Sequence, residues 1–362
     1  MADIAKLVLE DNTSFIGISF GSKVNTSGEV VFNTGMVGYP ESLTDPSYTG
    51  QILVFTFPLI GNYGIPDKEM ELGVLKNFES EKIRVKGLVV SSFSEFPNHY
   101  SLKLTLDEWL IKEGIPALYG IPSRSLTKIL REKGTMLGKI ISDDSNFNYY
   151  DPDKENLVRL VSTDHIKELG NLNSDITVVL LDCGVKNNII RCLLKRNIKL
   201  IIVPWDYDFT ELDYDGLVIS NGPGNPKMCK ETIEIVKKVL NKDKPILGIC
   251  LGNQILALAA GMNTYKLKYG HRSQNQPCIE QENKRCFITS QNHGYAVKMD
   301  NKKDWEEWFV NANDGTNEGI KHKRKPFMSV QFHPEGSPGP KDTEYIFDEF
   351  IKVVRLEKSL GV

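Results

Sequence analysis

The chain has 362 residues, 40% of them hydrophobic and 25% charged, and a net charge of −3. This is more chain than one average core serves, so two soluble domains are expected. The charge balance excludes a basic nucleic-acid binder, and no apolar run approaches the ~20 residues of a membrane helix, so neither nucleic acid nor membrane is an expected partner.

Met1-Ala2-Asp3-Ile4-Ala5-Lys6 opens without the apolar core of a secretory signal. Six Cys are scattered without a C-x-x-C pair. That suggests neither a disulfide framework nor a metal site, and a reducing cytoplasm fits.

Residues 1–145 read as a smaller strand-rich α+β domain. Lys6–Glu10 and Ser14–Phe20 flank Asp11-Asn12-Thr13, a hairpin signal. Glu29–Asn33, Ile52–Phe57 and Ile83–Ser92 are further strand candidates. Leu104–Ile111 reads as a helix, and so does Ser123–Gly134, capped by Ser123 and stopped by Gly134. The stretches Asn33–Glu41, Thr44–Gln51 and Gly61–Gly64 read as turns. Residues 146–175 are polar around a weakly helical piece, Leu157–Leu169, and read as a linker.

From residue 176 to 362 short β-branched runs alternate with helices, which predicts an α/β domain: a mostly parallel sheet with helices on both faces. Ile176–Asp182, Ile198–Val203, Gly216–Ser220 and Phe327–Val330 read as strands; Asn188–Lys195 and Glu231–Leu240 read as helices. Between them Lys244–Gln254, running on into the helix-forming Gln254–Ala260, gives a buried strand, a sharp turn and a helix with Cys250 at the apex. This is the shape of a nucleophile elbow with sulfur in place of oxygen. The apex backbone is strained and its neighbours at minus two and plus two come close, so Gly248 and Gly252 are required to lack a side chain. The helix N-terminus favours the thiolate.

Ligands collect at the C-terminal edge of such a sheet. Three stretches fall there: Ser220-Asn221-Gly222-Pro223-Gly224, the elbow, and Gln331-Phe332-His333-Pro334-Glu335. A Cys nucleophile needs a base and the base needs an orienting acceptor. His333 and Glu335 fit, because residues i and i+2 of an extended segment share a face and Pro334 holds the segment extended. The other histidines compete less well. His99, His165 and His322 sit in polar contexts that read as exposed, while His271 and His293 read as loop residues of the second domain. The oxyanion of an attacked carbonyl needs donors, and the N–H groups of Leu251 and of Gly222 and Gly224 are of the right type.

Gly248-Ile-Cys-Leu-Gly-Asn-Gln254, Ser220–Gly224 and Gln331–Glu335 resemble the motifs of class I (triad) glutamine amidotransferases. Val31–Tyr39, Leu43–Tyr48, Leu126–Gly134, Asp182–Ile189 and Gln291–Val297 resemble the small subunit of carbamoyl-phosphate synthetase, so that the likeness runs over essentially the whole chain. It departs at Asn253, where the family usually has His, at Pro122-Ser123 and around Ser273. Amidotransferases serving GMP or anthranilate synthesis lack the first half, and a subunit that binds without catalysing is the other alternative.

The resemblance implies a class I amidotransferase-like fold. It implies that Cys250 attacks the side-chain amide of L-glutamine, His333 protonates the leaving ammonia and Glu335 orients His333. Glutamine is then held by Ser47, Gly222, Gly224, Leu251, Gln254, Asn292, Gly294 and Tyr295. Ammonia passes to a large ATP-grasp subunit in a heterodimer, making carbamoyl phosphate for arginine and pyrimidine biosynthesis. No cofactor is implied for this chain; ATP and Mg are expected on the large subunit, and no G-x-x-x-x-G-K-[ST] motif occurs here.

Overall fold

The period-two apolar runs of the first half close into a barrel. The computed structural model describes residues 3–143, 145, 147–300 and 303–361. Met1 and Ala2 of the opening, and Asp144 and Asn146 at the expected domain boundary, lie outside the described residues. Strands β1 (Ile4–Leu9) and β2 (Ser14–Gly21) form the expected hairpin. Asn12 takes the left-handed turn position (φ 67°), and the Thr13 N–H donates to Asp11 Oδ1 at 2.9 Å. Then come β3 (Thr26–Asn33), helix α1 (Tyr39–Thr44), β4 (Gln51–Phe55), a ribbon of β5 (Met70–Glu71) and β6 (Val74–Leu75), and β7 (Gly87–Val89). Helix α2 (Leu106–Glu113), β8 (Pro116–Tyr119), α3 (Ser123–Lys133) and β9 (Met136–Ile141) complete the unit.

The barrel closes in the order β1-β2-β8-β7-β4-β3-β9. Alternate residues serve two cores. Val30, Phe32, Ile52 and Val54 pack with Leu126 and Leu130 of α3, whereas Val31, Leu53 and Phe55 pack with Leu106 and Leu110 of α2. Three expectations change. Tyr39–Thr44 is helical where a turn was expected, and the Ile83–Ser92 run keeps only the three residues of β7. Ser123 is the first helical residue of α3, not its cap: Pro122 stands there and offers no side-chain acceptor. Gly134 does end that helix, at φ 104°.

The second unit begins inside the segment read as a linker. Leu157–Leu169 is not one weak helix but a 3₁₀ turn at Val158–Leu160 followed by strand β10 (Lys167–Gly170). Next are β11 (Thr177–Asp182), α4 (Asn187–Leu194), β12 (Lys199–Pro204), β13 (Gly216–Ile219), α5 (Lys230–Val239), β14 (Ile246–Ile249) and α6 (Leu251–Ala259). Strands β15 (Asn263–Glu280), β16 (Cys286–Lys298), β17 (Trp305–Asn311), β18 (Asn317–His322) and β19 (Phe327–Val330) precede α7 (Tyr345–Leu360). The ten-stranded order is β10-β12-β11-β13-β14-β19-β18-β17-β15-β16.

The five strands from β12 to β19 are parallel, as their near-continuous apolar runs dictate. An antiparallel extension of β18, β17, β15 and β16 carries on from them. α4 and α7 cover one face and α5 and α6 the other. The two units are locked by buried polar groups. Glu79 of the first, fully buried, accepts from the Asn188 N–H at the start of α4 at 3.0 Å and pairs with Arg191 at 3.2 Å.

Candidate active site

Four parallel strands deliver the chemistry at their C-terminal ends. β11 leads to Lys186, β13 to Asn221–Gly224, β14 to Cys250 and β19 to His333. Cys250 has φ 55° and ψ −102°, the strained apex of the elbow, and its N–H donates to Val330 O at 2.8 Å. A β-carbon on Gly252 would lie 2.1 Å from the Ile219 carbonyl, and one on Gly248 would lie 2.7 Å from the Gly252 carbonyl. Both positions therefore need glycine, as the sequence demands. Sγ is buried, 3.7 Å from Asn292 O and 3.6 Å from Gln331 Nε2.

His333 Nδ1 lies 2.7 Å from Glu335 Oε1. The segment turns at Pro334 rather than staying extended, and the two side chains still meet. Nε2 has no hydrogen-bond partner in line and feels the Cys250 sulfur. Glu335 is buried, which by itself would raise its carboxyl. Lys186, with Nζ at 2.9 Å, and His333 outweigh that and hold it down to about 2. Burial opposes a charged His333, but Glu335 and then Cys250 prevail and push it up. Burial likewise opposes a charged Lys186, yet Glu335, Glu79 and Asp45 raise it. The arrangement is a chain of sulfur, imidazole, carboxylate and ammonium. Its last member also donates to Gly336 O at 2.8 Å. Lys186 was missed from sequence. Its signal was a lysine inside the Asp182–Ile189 motif, just past a buried strand.

A cavity opens beside Cys250, and the structure brings seven of the eight residues matched to glutamine contacts to its wall: Ser47, Gly222, Gly224, Gln254, Asn292, Gly294 and Tyr295. Leu251 does not line it; it follows Cys250 as the first residue of α6. Ser47 crosses from the barrel unit, and its Oγ accepts from Asn221 Nδ2 at 3.0 Å. Asp45 fixes that loop twice, accepting from the Ser47 N–H and from Asn292 Nδ2, both at 2.9 Å. Gln254 Nε2 donates to Tyr295 O at 2.9 Å. Asn253, fully buried, accepts from Ser329 Oγ at 2.8 Å and donates to Gln331 at 3.1 Å, so its polar groups are met without a charge. Gly222 is pressed onto the Cys183 carbonyl, 2.1 Å from where a β-carbon would sit.

The other histidines separate as follows. His99 and His165 are exposed, whereas His322 is half-buried against Trp305 and Phe327. His271 and His293 are not in loops; they face each other across β15 and β16.

Two family descriptions match. Residues 7–140 match the CPSase domain of the carbamoyl-phosphate synthase small chain. Residues 179–353 match glutamine amidotransferase class-I. The chain belongs to the carbamoyl-phosphate synthase small-chain family. The mitochondrial carbamoyl-phosphate synthase [ammonia] of Mus musculus is 50% identical over 100% of this chain and 24% of its own length. The multifunctional protein CAD of Squalus acanthias is 53% identical over 99% of this chain and 16% of its own. The multifunctional protein pyr1-3 of Dictyostelium discoideum is 49% identical over 95% of this chain and 17% of its own. The chain thus spans a quarter or less of the length of these curated relatives. Small-chain membership gives the barrel unit a place beside an amidotransferase unit, and the Ser47 loop is where the barrel reaches the shared cavity.

Proposed function

We propose that this chain hydrolyses L-glutamine and supplies ammonia to an ATP-dependent carbamoyl-phosphate synthase region. The observation that carries the reading is the buried chain Cys250, His333, Glu335 and Lys186, which ends at a cavity walled by Ser47, Gly222 and Asn292. The sulfur of Cys250 attacks the γ-amide carbon after His333 takes its proton. His333 returns that proton to the departing amide nitrogen, giving ammonia and a γ-glutamyl thioester. Water then cleaves the thioester to glutamate and restores the thiol. Leu251, Gly222 and Gly224 offer N–H groups to the oxyanion. The resemblance to carbamoyl-phosphate synthases favours carbamoyl phosphate for pyrimidine or arginine synthesis as the destination. ATP and Mg act on the synthetase region, paired with this chain or continuous with it. All six cysteines are free thiols, which favours a reducing cytoplasm, although the murine relative is named mitochondrial.

A second reading has a specific motive. The murine relative is named for ammonia, and a chain that only supports its synthetase would not need to hydrolyse glutamine. Cys250 at a strained apex beside a base favours hydrolysis. Glutamate release, measured with and without the synthetase region, separates the two. Release that requires Cys250 supports the first reading; no release in either setting supports the second.

A further inference from the structure

We propose that His271, His293 and Glu318 form a binding site for a single divalent transition ion of the zinc class. The two imidazoles stand directly opposite each other in the β15–β16 register, with ring centres 4.9 Å apart and planes at 86°. Glu318 reaches them from β18. All three side chains are more than nine-tenths buried. One ligand atom from each lies within 4.8 Å of the other two.

The hydrogen bonds aim the right atoms inward. His271 Nε2 lies 2.9 Å from Asp314 Oδ2. A carboxylate only accepts, so in the neutral ring that metals bind the proton sits on Nε2. Nδ1 is then a lone pair, and it faces the Glu318 carboxylate, itself only an acceptor, rather than a donor. His293 Nδ1 lies 2.8 Å from Tyr295 O, which likewise only accepts, so Nε2 carries the second lone pair; the Gln291 side-chain amide stands 3.0 Å from it and has to turn aside for the ion. Backbone and carboxylate partners of this kind set the tautomer of metal-bound histidines. Glu318 Oε2 is buried with no partner, while Oε1 accepts from Asn311 Nδ2 at 3.0 Å.

The spacing suits a small tetrahedral ion. Metal bonds of about 2.0–2.2 Å separate ligand atoms by about 3.3–3.6 Å. His271 Nδ1 and Glu318 Oε1 are already 3.3 Å apart. With His271 neutral and no ion bound, this cluster leaves two buried polar atoms, His271 Nδ1 and Glu318 Oε2, without a donor. Arg272 beside His293 opposes a cation, while the carboxylates of Glu318 and Asp314 beside His271 favour one. Asp314 is 43% exposed and marks the route in.

The test is calorimetric titration of Zn²⁺ into the chelator-stripped full chain carrying Cys250→Ser, so that the elbow sulfur cannot compete. One equivalent at micromolar affinity is expected, weakened at least about tenfold in Glu318→Gln and in His271→Asn, the least that loss of a partner behind a ligand costs. No saturable binding, or one equivalent unaffected by both changes, overturns the proposal. Should the variants not fold, Co²⁺ added to the same Cys250→Ser chain decides. A four-coordinate visible spectrum without a thiolate band supports the site; a six-coordinate spectrum or a thiolate band overturns it.

Discussion

Cys250 and Ser47 reach one cavity by different physics. Cys250 is placed by a dozen consecutive residues: an apolar strand, two glycines that must lack β-carbons and a helix that starts at once. Ser47 lies on a 3₁₀ turn of the barrel unit and is held by Asn221, from 174 residues further along the chain. The first is local and robust. The second exists only after two units have docked, through Asp45 on Asn292 and Glu79 on α4. The comparison teaches that the proposed nucleophile is encoded in one place and the far wall of its cavity in the seam between units.

The sharpest way to break that contrast is Cys250→Ser. Glutamine-dependent glutamate release should fall by more than about 10³-fold, as for loss of a nucleophile, while synthesis from added ammonia by the full enzyme persists. Loss of both activities together would refute the division of labour.

Lys186→Met tests the far end of the buried chain. Removing one partner of a buried pair costs about 3–5 kcal/mol, so chemical denaturation should show a drop of that order. The pH dependence follows from Glu335, whose carboxyl is lowered from 4.5 to about 2 in the folded chain. Its stabilising contribution is present above pH 4.5 and lost as pH falls toward 2. The gap between Lys186→Met and the unaltered chain should therefore close on acidification through that window. A constant gap would mean that Lys186 merely packs.

Gly252→Ala drives a β-carbon to 2.1 Å from a backbone carbonyl that cannot swing away. Overpacking of that kind costs about 1–3 kcal/mol, and glutamine turnover should fall with it because the elbow is displaced. An unchanged melting temperature would show that the elbow can relax.

Ser47→Ala is the mildest change. It takes the acceptor from buried Asn221 Nδ2, which should lower stability by about 1 kcal/mol, and loss of a hydrogen bond of the same size to glutamine should raise KM about fivefold. Unchanged KM and kcat would take Ser47 out of the site.

Much of this was legible in the sequence, and the limits have physical causes. The parallel strands and the elbow were readable because their signals are periodic and contiguous. The antiparallel extension was not. β15 and β16 mix polar with apolar residues because one buries His271, Arg272 and Ser273 and the other Gln291, Asn292 and His293. That polar burial disguises strands as loops. Strand β10 was hidden because three of its four residues are exposed and Leu169 alone packs inward, too little for an apolar face. Lys186 was hidden because a lysine reads as surface until its partner Glu335 is brought in from 149 residues away. The triad itself needed only spacing within two short motifs.

The most direct test of the central claim is mass spectrometry of the chain quenched during glutamine turnover with its synthetase region. A γ-glutamyl group on the peptide carrying Cys250, absent in Cys250→Ser, is the result this account predicts. Steady turnover with no acyl group on that peptide, or with one on another residue, would contradict it.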